Sequence, residues 1–362
     1  MNNKRIGVLT GGGDCPGLNA VIRAIVKQGI TEYGMEITGL IDGYKGLIEN
    51  NSKVLRLKDI SGILTRGGTI LGTSNRDNPF QYQTENNGKK EIKDVSEQVL
   101  ENIKKLNLSS LIVIGGDGSL KIANELYKKG VPIVGVPKTI DNDLSCTEIT
   151  FGFDTALVTA TEAIDKLHST AESHHRVMIV EVMGRNAGWI ALHSGIAGGA
   201  DLILLPEMPF SIDKICKKVI ERHSIGKKFS IVVVAEGAYE AGSSVVVKKI
   251  VNDISMPVRL GGIGNRVGDE IEKKTGIETR VTVLGHLQRG GTPSAFDRIL
   301  ATRFGSMAVK MVNEEKSGIM VALKNAEIVS VPIEEAIQKP KYIDPESQII
   351  NIARSIGISF GN

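Results

Sequence analysis

Aromatic side chains are scarce in this 362-residue chain: one Trp, six Tyr and eight Phe make up 4% of it. Single-stranded nucleic acids are usually held by stacked rings, so that class of ligand is disfavoured. A charge bias is also missing. Lys and Arg number 44 against 41 Asp and Glu, a net of +3, which leaves neither a polybasic surface nor an acidic tail and argues against a sequence-independent DNA or RNA binder. Only three cysteines occur, Cys15, Cys146 and Cys216, odd in number and far apart, so neither a disulfide framework nor a CxxC zinc site is expected. A reduced, cytosolic setting follows. No apolar run approaches the 18 residues of a membrane span, and the stretch Ile6 to Thr10 is too short for a signal-peptide core. The expectation is a soluble, cytoplasmic protein with no membrane partner.

Glycine, by contrast, is abundant at 41 residues, about 11% against an average near 7%. Much of it follows short β-branched runs: Arg5 to Thr10, Leu111 to Ile114, Pro132 to Val136, Val177 to Val182, Leu202 to Leu205, Phe229 to Val234 and Val281 to Leu284. Each reads as a buried strand of a parallel sheet. Helical patterns lie between them at Asn19 to Tyr33, Val95 to Leu106, Ser119 to Lys129, Thr155 to Thr170, Ile212 to His223, Arg259 to Lys274 and Ser294 to Val312. This alternation predicts an α/β fold with right-handed crossovers. A chain of this length favours two lobes, and the second strand set beginning near Val177 predicts two stacked Rossmann-like α/β lobes, largely parallel, with a cleft between them. The polar stretches Gln81 to Lys93 and Tyr239 to Val251 read as surface insertions.

The turns after the first three strands would share one carboxyl edge, where open α/β sheets bind ligands. Gly11-Gly12-Gly13-Asp14-Cys15-Pro16-Gly17 follows a strand and precedes a helix, so bare amides and a helix N-terminus can face an anion, or the segment is a plain tight turn. It lacks the lysine and hydroxyl of a P-loop and is not GxGxxG. Gly115-Gly116-Asp117-Gly118-Ser119 repeats the pattern with a carboxylate added, which suits magnesium beside phosphate or an ordinary helix cap. Pro137-Lys138-Thr139-Ile140-Asp141-Asn142-Asp143 is the sharpest segment. Two carboxylates two residues apart can address one hydroxyl, one as base, and Lys138 and Thr139 add phosphate donors; the alternative is an Asn/Asp-rich turn. Glu181 to Gly188 repeats strand, glycine and helix with Arg185 available to neutralise charge. Glu236 ends another strand, and basic groups cluster at Arg280 and in Gly285-His286-Leu287-Gln288-Arg289-Gly290-Gly291, as an anionic sugar phosphate requires.

In order along the chain, Ile6 to Thr10 with its glycine turn, Arg66-Gly67-Gly68-Thr69 with Leu71-Gly72-Thr73, Gly115 to Ser119, Lys138 to Asp143, Phe151 to Ala156, Glu181 to Gly188 and Leu284 to Arg298 resemble the phosphofructokinase family. The resemblance covers nearly the whole chain. It implies that residues 1–152 plus 288–338 form a nucleotide-binding lobe, and 153–287 plus 339–362 a sugar-phosphate lobe. It implies Asp141 as the base for the sugar 1-hydroxyl, supported by Thr139 and Asp143, with Arg185 on the transferring phosphoryl group. Asp117 matches the magnesium-associated aspartate. Gly13, Arg76, Gly116, Gly118 and Ser119 match the nucleotide site with it. Met183, Gly184, Arg185, Glu236, His286 and Arg289 match fructose 6-phosphate contacts, as do Arg176 and Arg280, which in this family reach in from a neighbouring subunit. A homo-oligomer with shared active sites is therefore implied.

The donor rests on two positions. In the diphosphate-dependent members an aspartate stands where this chain has Gly118, and Lys138 resembles that same group, whereas common bacterial ATP enzymes have glycine there. The open position at Gly118 favours ATP, with magnesium. The alternatives are a diphosphate-dependent enzyme and a non-catalytic regulatory subunit that binds sugar phosphate; Asp141, Asp143 and Arg185 argue against the latter. A lipid or NAD kinase would share the short GGDG turn but not the later motifs. Arg23 fits an arginine of the family's effector site, but Lys27 stands where a second arginine is usual, and the stretch from Glu236 to Arg280 is longer than in compact members.

Overall fold

The computed structural model describes residues 4–86, 89–245, 247–250 and 258–362. The fold is α/β, and the chain divides into two compact units. The first comprises Met1–Thr139, Leu144–Asp154 and Arg289–Pro340, and the second Ile140–Asp143, Thr155–Gln288 and Lys341–Asn362. This division differs from the expected one chiefly at Ile140–Asp143, which go with the second unit.

The first unit is built on a seven-stranded sheet. Its order is Glu327–Pro332, Ile319–Lys324, Ile133–Pro137, Ser110–Gly115, Arg5–Thr10, Glu36–Leu40 and Ser52–Leu55. The five inner strands run parallel, and only the two edge strands are antiparallel. Ser110–Gly115 and Ile133–Pro137 are buried at every position, which is why they read as unbroken apolar runs. The edge strands escaped the sequence reading because they are short or half polar. The hairpin that joins Ile319–Lys324 to the edge strand Glu327–Pro332 turns at Asn325 and Ala326, both at positive φ, and carries no glycine to mark it. The helix Ala295–Asn313 packs on Leu18–Thr31, and a Cβ on Gly305 would lie 2.7 Å from the Val21 carbonyl oxygen.

The second unit holds a four-stranded, all-parallel sheet in the order Thr279–Val283, Val177–Val182, Ser230–Ala235 and Leu202–Leu204. Val177, Ile179, Val232 and Val234 pack there with Phe210, Ile215 and Val267. The helix expected from Arg259 begins instead at Ile263. Val258–Leu260 is a strand, paired antiparallel with Val247–Ile250, and Gly261 and Gly262 then take φ of +128° and +89°. Parts of the expected insertion at Tyr239 to Val251 and on to Pro257, namely residue 246 and residues 251–257, lie outside the described residues. The other expected insertion forms the hairpin Tyr82–Asn86 with Lys89–Lys93. No described helix is long and apolar enough to cross a membrane.

The start of Ile263–Thr275 is held by a buried carboxylate. Glu181 accepts from the Gly264 N–H at 2.8 Å and from the Gly262 N–H at 3.1 Å, so orphan helix donors meet an ionisable acceptor. Truncation leaves those donors without this partner, at a cost of roughly 1–3 kcal/mol. Glu181→Ala is therefore expected to lower the thermal midpoint by several degrees, measured by calorimetry; an unchanged midpoint would contradict the capping role.

Candidate active site

Three adjacent parallel strands of the first unit, Arg5–Thr10, Ser110–Gly115 and Ile133–Pro137, release their turns at one edge. The glycine turn after the first is stitched to its neighbours. The Gly11 N–H donates to the Ile114 carbonyl at 2.9 Å, and the Gly12 N–H to the Ser74 carbonyl at 3.0 Å. Thr73 donates its hydroxyl to the Gly12 carbonyl at 2.6 Å and the Thr10 carbonyl at 3.0 Å. Asn19, buried at the helix start, holds the next loop through the Arg66 and Gly67 carbonyls and the Ile70 N–H. These are the physical tasks of the RGGT and LGT segments, and the sequence reading had assigned none to Asn19 or Thr73.

Asp117 opens the helix Asp117–Lys128, with Gly116 at its N-cap, and pairs with Lys121 at 2.8 Å. A Cβ on Gly118 would meet nothing within 4 Å. Ser119 is not displayed: it is buried, and a Cβ on Gly11 would approach its Oγ to 2.6 Å, so it braces the two turns from below. Lys138, also buried, donates its ammonium to the Gly13 carbonyl. Thr139 offers its carbonyl to the Thr150 hydroxyl at 2.6 Å. Arg289 belongs to this first unit, with its guanidinium against Gly13. Arg76 is exposed, and its N–H meets Ser74 Oγ. Cys15, in the same turn, is fully buried, and burial pushes its thiol far above the usual range, with Lys138 opposing only in part. It is not a nucleophile here.

In the second unit the strand Val177–Val182 lies between Thr279–Val283 and Ser230–Ala235, so three more turns share an edge. The Glu236 N–H donates to the Val182 carbonyl at 2.9 Å, and the Gly237 N–H to the Gly184 carbonyl at 3.1 Å. Met183 donates its N–H to buried Gln288, and the Leu284 N–H meets the Glu181 carbonyl. These ties bring Met183, Gly184, Arg185, Glu236 and the turn carrying His286 to one edge. Gly184 sits at φ +139°, and a Cβ there would fall 2.8 Å from the Ala187 carbonyl. Asp141 and Asp143 belong to this unit, flanking Asn142, which is buried at φ +51°.

Arg176 and Arg280 do not join them. Arg176 precedes the first residue of its strand, and Arg280 pairs with Met178. The Met183 turn leaves from the other end of that strand, six residues away, or ~20 Å at ~3.3 Å per residue. Both arginines meet Glu278, Arg176 at 2.6 Å, and hydrogen bonding to Arg176 holds the Glu278 carboxyl below its usual range.

The family model described as phosphofructokinase matches residues 5–312. The chain is 56% identical to an ATP-dependent 6-phosphofructokinase 2 of Clostridium perfringens, over 99% of both chains. It is 52% identical to a pyrophosphate–fructose 6-phosphate 1-phosphotransferase of Streptomyces coelicolor, over 99% of this chain and 100% of that one. Among solved structures, Pichia pastoris phosphofructokinase in the T-state superposes with a TM-score of 0.79 at 34% identity, over 98% of this chain and 36% of that longer one. The chain belongs to the phosphofructokinase family.

The contact between the two glycine turns is testable without any ligand. Gly11→Ala is expected to destabilise the protein, since the new methyl meets a buried Ser119, and Gly11→Ala with Ser119→Ala to regain part of the loss because the 2.6 Å clash with Oγ disappears. Thermal midpoints decide it; a double variant no better than Gly11→Ala contradicts the packing.

Proposed function

We propose that this protein is an ATP-dependent 6-phosphofructokinase, acting in the cytoplasm as a homo-oligomer. It transfers the γ-phosphoryl group of ATP to the 1-hydroxyl of fructose 6-phosphate, giving fructose 1,6-bisphosphate and ADP. The new bond joins the sugar oxygen to phosphorus, the bond from γ-phosphorus to the β-phosphate bridging oxygen breaks, and Asp141 takes the hydroxyl proton. Asp143 and Thr139 support that base, and Arg185 offsets charge on the phosphoryl group. Gly13, Arg76 and Gly116 to Ser119 serve the nucleotide, Ser119 from beneath. Met183, Gly184, Glu236, His286 and Arg289 serve the sugar phosphate. Arg176 and Arg280, at the far end of their strands, serve the site of a neighbouring subunit.

Magnesium fits this arrangement only as an ion shared with the donor. Among the described residues no group of three His, Cys, Asp or Glu could hold it, so Asp117 and the donor's own phosphate oxygens, with water, would be its ligands. It would supply charge neutralisation between those oxygens.

The observation that carries the choice of ATP is the open space at Gly118. Lys138 is no counter-argument, because its ammonium holds the Gly13 carbonyl, a task that serves either donor. A side chain at 118 would fit the empty protein and meet only the nucleotide. Gly118→Asp would set a carboxylate near the α-phosphate, a like-charge contact of roughly 1 to 4 kcal/mol at effective dielectrics of about 80 to 20, where ~1.4 kcal/mol is tenfold in rate.

In a coupled assay the wild type is expected to use ATP with magnesium and to show negligible turnover with diphosphate, and Gly118→Asp to lose ATP activity at least several-fold. Faster wild-type turnover with diphosphate at matched concentrations would make this the diphosphate-dependent enzyme; no turnover with either donor would favour a regulatory subunit. Asp141→Asn should lower kcat by about 10²- to 10⁴-fold with little change in sugar-phosphate affinity. Near-wild-type kcat in that variant would remove Asp141 from its role.

A further inference from the structure

The turn that carries Asp141 and Asp143 is held from a segment near the end of the chain. Lys341 meets it at two points. Its ammonium donates to Asn142 Oδ1 at 3.0 Å, and its backbone N–H donates to the Asp143 carbonyl at 2.8 Å. Asn142 is buried and left-handed, so the residue between the two carboxylates sits in a conformation that only glycine and asparagine visit readily.

Lys341 is itself anchored. Its carbonyl accepts from Trp189 Nε1 at 2.8 Å, and its ammonium lies 5.5 Å from the centre of that ring. Trp189 opens the helix that follows the Arg185 loop. Two residues on, the Ile343 N–H donates at 3.1 Å to Glu207, whose carboxylate also takes the Gly188 N–H. Residues 341–343 thus form a strap tied to the Asp141–Asp143 turn at one end and to the end of the Arg185 loop at the other. A cation–ring contact and a charge-assisted hydrogen bond cost more to break than a neutral turn contact.

We propose that Lys341 is a positioning residue for phosphoryl transfer: it fixes the Asp141–Asp143 turn relative to the loop carrying Arg185, a role that rests on the phosphofructokinase reading above. In this role it acts through the turn rather than on the substrate or the donor. Its loss is expected to reduce turnover rather than binding, because a displacement of ~1 Å at a reacting group costs up to about 10²-fold in rate.

The test is steady-state kinetics on the full-length protein with fructose 6-phosphate and the donor the wild type uses. Lys341→Met should lower kcat about tenfold or more with KM for the sugar phosphate within about threefold, and Lys341→Arg, which keeps a cationic donor, should restore most of it. Asn142→Gly keeps the left-handed backbone but removes Oδ1, and should show the same loss. Lys341→Met with Asn142→Gly should lose less than the two single losses combined, since both variants break the Lys341–Asn142 contact. Trp189 is the chain's one tryptophan, so its emission reads the strap without turnover and should change in Asn142→Gly as in Lys341→Met. A kcat for Lys341→Met within twofold of wild type, additive losses in the double variant, or unchanged emission in Asn142→Gly would overturn the proposal. Absence of wild-type turnover with either donor would instead overturn the functional reading and the positioning role with it.

Discussion

Parallel strands impose a common exit: the five inner strands of the first sheet leave at the same edge, so their turns meet one another there. In the first unit, Arg5–Thr10, Ser110–Gly115 and Ile133–Pro137 are neighbours in the sheet though far apart in sequence. Each is followed by a glycine-rich or polar turn where an ordinary loop would bring side chains. Two of these turns approach so closely that a methyl on Gly11 would strike Ser119, and within the second a methyl on Gly115 would lie 2.4 Å from Ser119 Cβ. Removing side chains from that edge leaves backbone N–H groups and a helix N-terminus to face an anion, which is the chemistry a phosphate cradle requires.

The second unit applies the same constraint to a different end. Its sheet is shorter, and its charged groups separate to opposite edges of one strand: Met183 to Arg185 at the carboxyl end, Arg176 just before the amino end. Glu278 collects both Arg176 and Arg280, so two guanidiniums that would otherwise repel share a counter-charge. Such a pair is a poor stability device, because surface ion pairs contribute little. It does hold two cations side by side.

Three inner strands of the first unit, Arg5–Thr10, Ser110–Gly115 and Ile133–Pro137, were legible because burial on both faces favours Val, Ile and Leu, whereas the inner strands Glu36–Leu40 and Ile319–Lys324 were missed. Edge strands such as Ser52–Leu55 and Glu327–Pro332 were missed too, since one exposed face lets polar residues in and weakens the pattern. The helix expected from Arg259 was placed too early for a related reason: its period does run on, but Gly261 and Gly262 adopt positive φ and Glu181 caps the later start. Candidate site residues followed from strand-end positions and from resemblance. Their supports did not. Asn19, Thr73 and Lys341 act through hydrogen bonds across 47 to 199 residues of sequence, and single polar side chains at that separation leave no periodic trace.

Two relatives of about equal similarity carry names with different phosphoryl donors, as the proposed phosphate cradle would lead one to expect. Backbone amides recognise phosphate oxygens, and those are common to ATP and diphosphate. Discrimination must come from the space beyond the shared phosphates, where ATP has an α-phosphate and nucleoside and diphosphate has nothing. One side chain at the first turn of the Asp117–Lys128 helix occupies or vacates that space without disturbing the fold, because a Cβ on Gly118 meets no protein atom within 4 Å. Lys138 is buried and bonded to the Gly13 carbonyl. On the reading proposed above, donor preference would change by a single substitution while the sheets, turns and carboxylate pair stay as they are, and overall identity would be a poor guide to it.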